Sequence, residues 1–204
     1  MKSKKYSAFD IAQWFINRAK LDADLTCDET NLISQLKLQK LLYYAQACSL
    51  ALNNERLFDD SILAWKLGPV VEKVYQKYKP CGRRPIEYFE PVAFDEETEV
   101  LLEFIYSKFA IYQASHLVNL THNDDCFNNT LQSHEINIAD IKSDFEKKWL
   151  KDVDIETKKE QYLNTAATAY LNSFDKLSEY LKNENANATD EVVDLDWTKL
   201  NDTK

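Results

Sequence analysis

Residues 36–75 read LKLQKLLYYAQACSLALNNERLFDDSILAWKLGPVVEKVY, and this block, which runs on to Tyr78, decides the fold. In its first half Leu38, Leu41, Leu42, Ala45, Cys48 and Leu52 recur at spacings of three and four. That period predicts a helix over 35–53 with one buried face, and it puts Lys37, Lys40 and Tyr44 toward the flank. Asn53 and Asn54 tolerate left-handed geometry and close the helix. In the second half, Ile62 to Trp65 is a short apolar run that suits a strand. Gly68-Pro69 then reads as a helix start, because glycine is free to turn and proline has no N–H to lose in a first helical turn. Val70, Val71, Val74 and Tyr75 resume a helical spacing after it.

Working outward, Ser7 followed by Asp10 forms a capping box with Asp in place of Glu, so a helix starts at Ala8, with Ile11, Ala12, Phe15 and Ala19 as its buried stripe. Polar residues from Asp22 to Asn31 make a loop. After Tyr78, Pro80, Gly82 and Pro85 give a turn-rich connection, and Ile86 to Phe94 is expected to be extended and to pair with Ile62–Trp65. Asp95 caps a helix carrying Val100, Leu101, Phe104, Ile105 and Phe109, and a shorter helix follows over 113–120. Residues 121–129, THNDDCFNN, form a polar loop. Ile141, Phe145 and Trp149 recur every four residues, and a longer helix is expected over 156–182. The sum is a mainly α fold of the α+β kind, a single helical globular domain with a small two-stranded β element and C-terminal add-on helices. The expected division is 7–130 for the domain, 131–182 for a helical extension and 183–204 for an acidic tail. That tail holds six carboxylates against Lys199 and Lys204. Its apolar residues Val192, Val193, Leu195, Trp197 and Leu200 are too few to pack alone, so it is expected to be mobile when free.

Composition narrows the functional classes. The 204 residues are 45% hydrophobic, enough for one sizeable core, and the net charge of −9 argues against nonspecific nucleic-acid binding by the whole molecule. No apolar run approaches the roughly 20 residues of a membrane span, so a cytoplasmic protein is expected. Cys27, Cys48, Cys81 and Cys126 lie far apart with no Cys-x-x-Cys, which signals reduced thiols and no zinc knuckle. Gly68 and Gly82 are the only glycines. Dinucleotide-binding turns, phosphate-cradling loops and nucleophile elbows all need more.

Three stretches carry a family resemblance: LKLQKLLYYAQACSLAL at 36–52, LFDDSILAWKLGPVVEKVYQKYK at 57–79 and YQASHLVNLTHND at 112–124. Together they resemble the signature blocks of the Panacea domain, the family of SocA-like antitoxins and phage-associated GepA-type proteins. The resemblance covers residues 7–130. The family pattern commonly continues after its Thr-His with an acidic residue and then Pro-Trp, where this chain has Cys126-Phe127. The resemblance implies an antitoxin, without cofactor or catalytic residues, that neutralises a cognate toxin protein by binding it. A rival within the family is an adaptor that delivers the toxin to a protease.

The candidate residues are weighed against plainer roles. His116, His122, Asp124, Asp125, Cys126 and His134 fall in a short span, from which a metal-dependent or Cys-His hydrolase centred on His122 could be drawn. Their spacing matches no standard zinc frame, and Thr121-His122 reads better as a helix-end device whose imidazole satisfies carbonyls. Lys37 and Lys40 share a helix face, where long stems normally lie along apolar surface with their heads in water. The resemblance turns that face into a contact surface. Lys66, Lys73, Lys77, Lys79, Arg83 and Arg84 against Glu72 and Glu87 make residues 66–87 net positive within an acidic chain. The partner-binding set is therefore Lys37, Lys40, Tyr44, Trp65, Lys66, Lys73, Lys77, His122 and Trp197, the last as an anchor in the tail. No membrane or nucleic-acid partner is expected.

Overall fold

The computed structural model describes residues 6–151 together with Asn164 and Thr168. Apart from those two positions, the expected helix over 156–182 and the acidic tail with Trp197 lie outside the described residues.

The described chain is mainly helical with one two-stranded antiparallel sheet, as expected. Helix α1 spans Ala8–Thr26 and opens with the capping box: the Ser7 side chain accepts from the Asp10 N–H, and the Asp10 carboxylate accepts from the Ser7 N–H. It ends at Cys27, which takes a left-handed conformation (φ 52°) and is exposed. A Cβ is strained there and a glycine is not. Cys27→Gly is therefore expected to raise stability by about 0.5–1 kcal/mol, read as a higher urea midpoint at unchanged slope.

Helix α2, Gln35–Asn53, is capped by Ser34 and closed by a left-handed Asn54. It is the central post. Helices α1, α4 (Glu96–Phe109), α5 (Ala114–His122) and α7 (Ile138–Trp149) all pack on it, as does strand β2 (Gly68–Val70). Every residue from Lys37 to Ala51 is buried, and Leu38, Leu41 and Leu42 are fully so. Ile136, Ile141, Phe145 and Leu150 share this core with the residues before 130. The segment 136–150 is thus integral to the same packed unit.

Two expectations about the second block are corrected. Strand β1 is Leu63–Trp65, and its antiparallel partner is β2, in the register Leu63 to Val70, Ala64 to Pro69 and Trp65 to Gly68. Gly68-Pro69 therefore sits in a strand, and the following helix α3 starts only at Glu72 and runs to Tyr78. A proline is tolerated in β2 because this is an edge position where no ladder bond asks for its missing N–H. Residues 86–94 do not pair with β1. The other side of β1 is taken by residues 133–136: the Ala64 N–H donates to the His134 carbonyl at 2.9 Å, and the Ile136 N–H to the Ile62 carbonyl at 2.8 Å. Ile86 instead donates its N–H to the Ile33 carbonyl at 2.9 Å. A two-residue link closes the β1–β2 pair at a lower entropic cost than a twenty-residue loop would.

The polar stretch 121–129 also gains structure. Asp125–Asn128 form a single helical turn, α6, with Asp124 and Cys126 buried.

Candidate functional site

Helix α2 is enclosed on all sides, so the backbone groups of the irregular segments around it need partners other than water. Its own polar side chains supply them. Gln35 Nε2 donates to the Tyr75 carbonyl (2.9 Å), Lys37 Nζ to the Ala110 carbonyl (2.5 Å) and Lys40 Nζ to the Pro69 carbonyl (3.0 Å). Gln39 Oε1 accepts from the Val71 N–H at 2.8 Å. Gln46 Oε1 accepts from the Leu57 and Phe58 N–H groups, and its Nε2 donates to the Phe58 carbonyl. Tyr43 donates to Asp124 Oδ2 at 2.7 Å and lies 3.3 Å from Cys126 Sγ. One helix thus latches α3, the α4–α5 link, β2, the segment 57–58 and the α5–α6 corner.

The three signature blocks converge where Lys40, Gly68 and Thr121 meet. Gly68 has φ +97°, and a Cβ built on it would lie 2.6 Å from Lys40 Nζ and 2.7 Å from Thr121 Oγ1. Thr121 is fully buried and donates its hydroxyl to the Val118 carbonyl at 2.9 Å. Lys40 is fully buried, and burial pushes its amine down to about 7. Burial lowers Lys37 as well.

The placement of the predicted residues separates into two groups. Lys37, Lys40 and Tyr44 were expected at a flank with their heads in water. They are inside instead, Lys37 at 8%, Lys40 at 0% and Tyr44 at 1% exposure, because the hairpin and the α4–α5 link close over that flank. Tyr44 stacks on Phe109 with ring centroids 4.0 Å apart and planes within 4°. His122 does not satisfy helix-end carbonyls with its imidazole. It stacks on Phe127 at 4.9 Å, and its Nε2 is buried without a partner. The other group is on the surface. Trp65 is half-buried, edge-on against Tyr75 at 4.8 Å, and the hairpin tip beside it carries exposed Lys66 and Leu67, the latter 53% exposed. Lys73 is exposed beside Asp60 at 3.1 Å, and Lys77 faces Glu90 at 3.5 Å. Next to Lys73 a cleft of about 590 Å³ opens between the start of α1, residues 59–61 and the start of α3.

The His-Cys span does not assemble into an activated nucleophile. Burial pushes the Cys126 thiol up to about 12, against the thiolate that nucleophilic chemistry needs. Asp124 is raised by burial while bonded to Lys148 Nζ at 2.5 Å and to Tyr43. Among the described residues no group of three or more His, Cys, Asp or Glu is placed to hold a metal. Sequence reasoning passed over Gln39, Gln46 and Gly68 as a strand residue, and it named Thr121 and Asp124 only for other roles. A signal for two of them existed: Gln39 and Gln46 repeat at a helical spacing inside a helix otherwise apolar on that side.

Residues 38–128 match the family described as antitoxin SocA-like, Panacea domain. This segment is similar to the Panacea domain. Comparison with curated proteins and with solved structures returns no match. The contact of Lys40, Gly68 and Thr121 is therefore a meeting point internal to the matched segment, and α7 lies beyond the matched residues. The Cys126 N–H donates to Asp144 Oδ2 of α7 at 2.6 Å, a bond that a proline at position 126 could not make. This bond fastens α7 to the matched segment. No helix among the described residues is long and apolar enough to cross a membrane.

Proposed function

We propose that this chain is an antitoxin that neutralises a cognate toxin protein by binding it directly, and that the contact face is the β-hairpin tip with the exposed side of α3: Trp65, Lys66, Lys73 and Lys77. The antitoxin role rests on the Panacea family match. The face rests on one observation. Lys40 Nζ and Gln39 Oε1 of the signature helix are engaged inside, fixing β2 and the start of α3, while the elements they fix present cations and exposed Leu67 to solvent. A rigid apolar tip rimmed by charge has the anatomy of an interface in which an anchor supplies affinity and the rim supplies steering. Lys37, Lys40 and Tyr44 then act as supports behind the face.

The test is co-expression with the toxin encoded beside this chain, followed by co-purification. A combined Lys66→Glu and Leu67→Asp variant is expected to weaken the complex by about tenfold or more, about 1.4 kcal/mol, with an unchanged melting transition. Unchanged affinity would remove the hairpin tip from the contact. Rescue of growth with the toxin lost from the cell, and no stable complex, would point to the adaptor reading.

A further inference from the structure

We propose that the exposed side of α5, continued by Tyr112 and Ile111 of the α4–α5 link, is a contact between two copies of this chain, each laying this face against its twin across a twofold axis. The observation is a surface without charge on a chain rich in it. Charged residues make up 29% of the sequence, yet residues 109–123, FAIYQASHLVNLTHN, hold no Asp, Glu, Lys or Arg, where that composition would place about four. A run of similar length, 41–54, lies in the enclosed helix α2, and burial accounts for it. Burial does not account for this one. In α5 Leu117, Val118 and Thr121 turn inward, while Ser115, His116 and Asn119, which fall together on the opposite side of the helical wheel, are exposed. Tyr112 stacks on His116 with ring centroids 4.6 Å apart, which carries the face past the start of the helix to Ile111, 75% exposed. Every other α-helix among the described residues holds at least one Asp, Glu, Lys or Arg. The charges that bound the run are engaged within the chain: Lys108 lies over the Trp149 ring at 4.9 Å, and Asp124 is buried against Lys148 at 2.5 Å.

The chemistry of the face selects its partner. In a twofold contact each side chain near the axis meets its own copy, so a lysine or a carboxylate there would meet a like charge. Serine, histidine and asparagine each carry a donor and an acceptor and can bond to their own kind, and Ile111 offers its twin the same apolar surface. A chain of net charge −9 repels its copy at long range. The neutral face is where two such chains approach at least cost. Depletion of charge around aromatic and aliphatic groups is the composition of an interface core, and the Tyr112–His116 stack is formed in advance, so little freedom is lost in ordering it. The face is small, since the nine residues of α5 span about 14 Å. The dimer is accordingly a weak one, with a dissociation constant on the order of 10–100 μM. This contact uses neither the hairpin tip nor the exposed side of α3, and it does not rest on the antitoxin reading.

The experiment is sedimentation velocity on the full chain without toxin, over a concentration range of about 5–500 μM that brackets the expected constant. The sedimentation coefficient of the parent is expected to climb with concentration toward that of a dimer. Raising the salt from about 0.05 M to about 0.5 M should tighten the association at least about threefold, because it screens the repulsion between the two chains and finds no ion pair to weaken. Asn119→Glu and Asn119→Lys, both on the exposed side of α5, should keep the melting temperature of the parent. Each alone is expected to associate at least about tenfold more weakly, and an equal mixture of the two to recover, since opposite charges then meet across the axis. A parent that stays monomeric over the whole range, an association that salt loosens, or a mixture no tighter than its components would each overturn the twofold contact. Toxin affinity is measured separately: a monomeric parent whose Asn119 variants lose the toxin gives this face to the toxin, whereas a dimer whose Asn119 variants bind toxin as the parent does keeps the two contacts apart.

Discussion

Gly68→Ala is expected to cost about 2–5 kcal/mol of stability, the sum of a left-handed strain of about 1–2 and an overpacking term of about 1–3. The strain follows from φ +97°, and the overlap from the 2.6 Å and 2.7 Å approaches to Lys40 Nζ and Thr121 Oγ1. The amine is the end of a flexible chain, but it has nowhere to go: Lys40 is fully buried, and its bond to the Pro69 carbonyl fixes it. Thr121 is equally confined, bonded to its own helix. Urea unfolding monitored by tryptophan fluorescence measures the loss. A double-mutant cycle with Lys40→Ala isolates the lysine's share, because removing the amine relieves that overlap and leaves the strain and the close approach to Thr121. An interaction of about 1 kcal/mol or more is expected, in the sense that the second change costs less after the first. Strict additivity would show that the lysine moves aside freely.

Lys40→Glu is expected to be the most damaging single charge change, by about 3–5 kcal/mol, since it leaves an uncompensated buried carboxylate facing a carbonyl oxygen. A combined Lys37→Glu and Lys40→Glu variant is accordingly expected to fail by unfolding, not by losing a surface contact, and its melting curve will show this before any binding assay does. The gentler Lys40→Met tests the titration of the amine. In the folded chain the amine sits near 7, against 10.5 for the unfolded group. Between these values the unfolded state binds more protons, so stability rises with pH across that window and the penalty is fully present below it. Lys40→Met should flatten this rise between pH 7 and pH 9, below the range where the buried tyrosines, themselves pushed up by burial, would ionise. A parent protein whose urea midpoint is level from pH 7 to pH 9 would mean that the amine stays charged inside.

The sequence by itself determined the long helices and several of their ends, though α1 runs on to Thr26 through part of the expected Asp22–Asn31 loop, α3 starts at Glu72 and not at Gly68-Pro69, and α6 was not placed. Period and caps are local properties, and the Ser7–Asp10 box, the Asn54 terminus and the Asp95 cap are each written within a few residues of where they act. It also carried the three blocks that mark the Panacea domain. Only the tertiary structure decided what the polar residues inside those blocks do. Lys37 and Lys40 sit at positions that belong to the flank of an isolated helix, and their burial depends on the hairpin and on the α4–α5 link, which arrive from 29 and 73 residues away. The same holds for Gly68-Pro69. The pair is compatible with a helix start or with a strand edge, and pairing with Ala64 and Trp65 selects the strand. A long-range contact of this kind leaves no periodic trace, because its partner is set by which surfaces exclude water together and not by spacing along the chain.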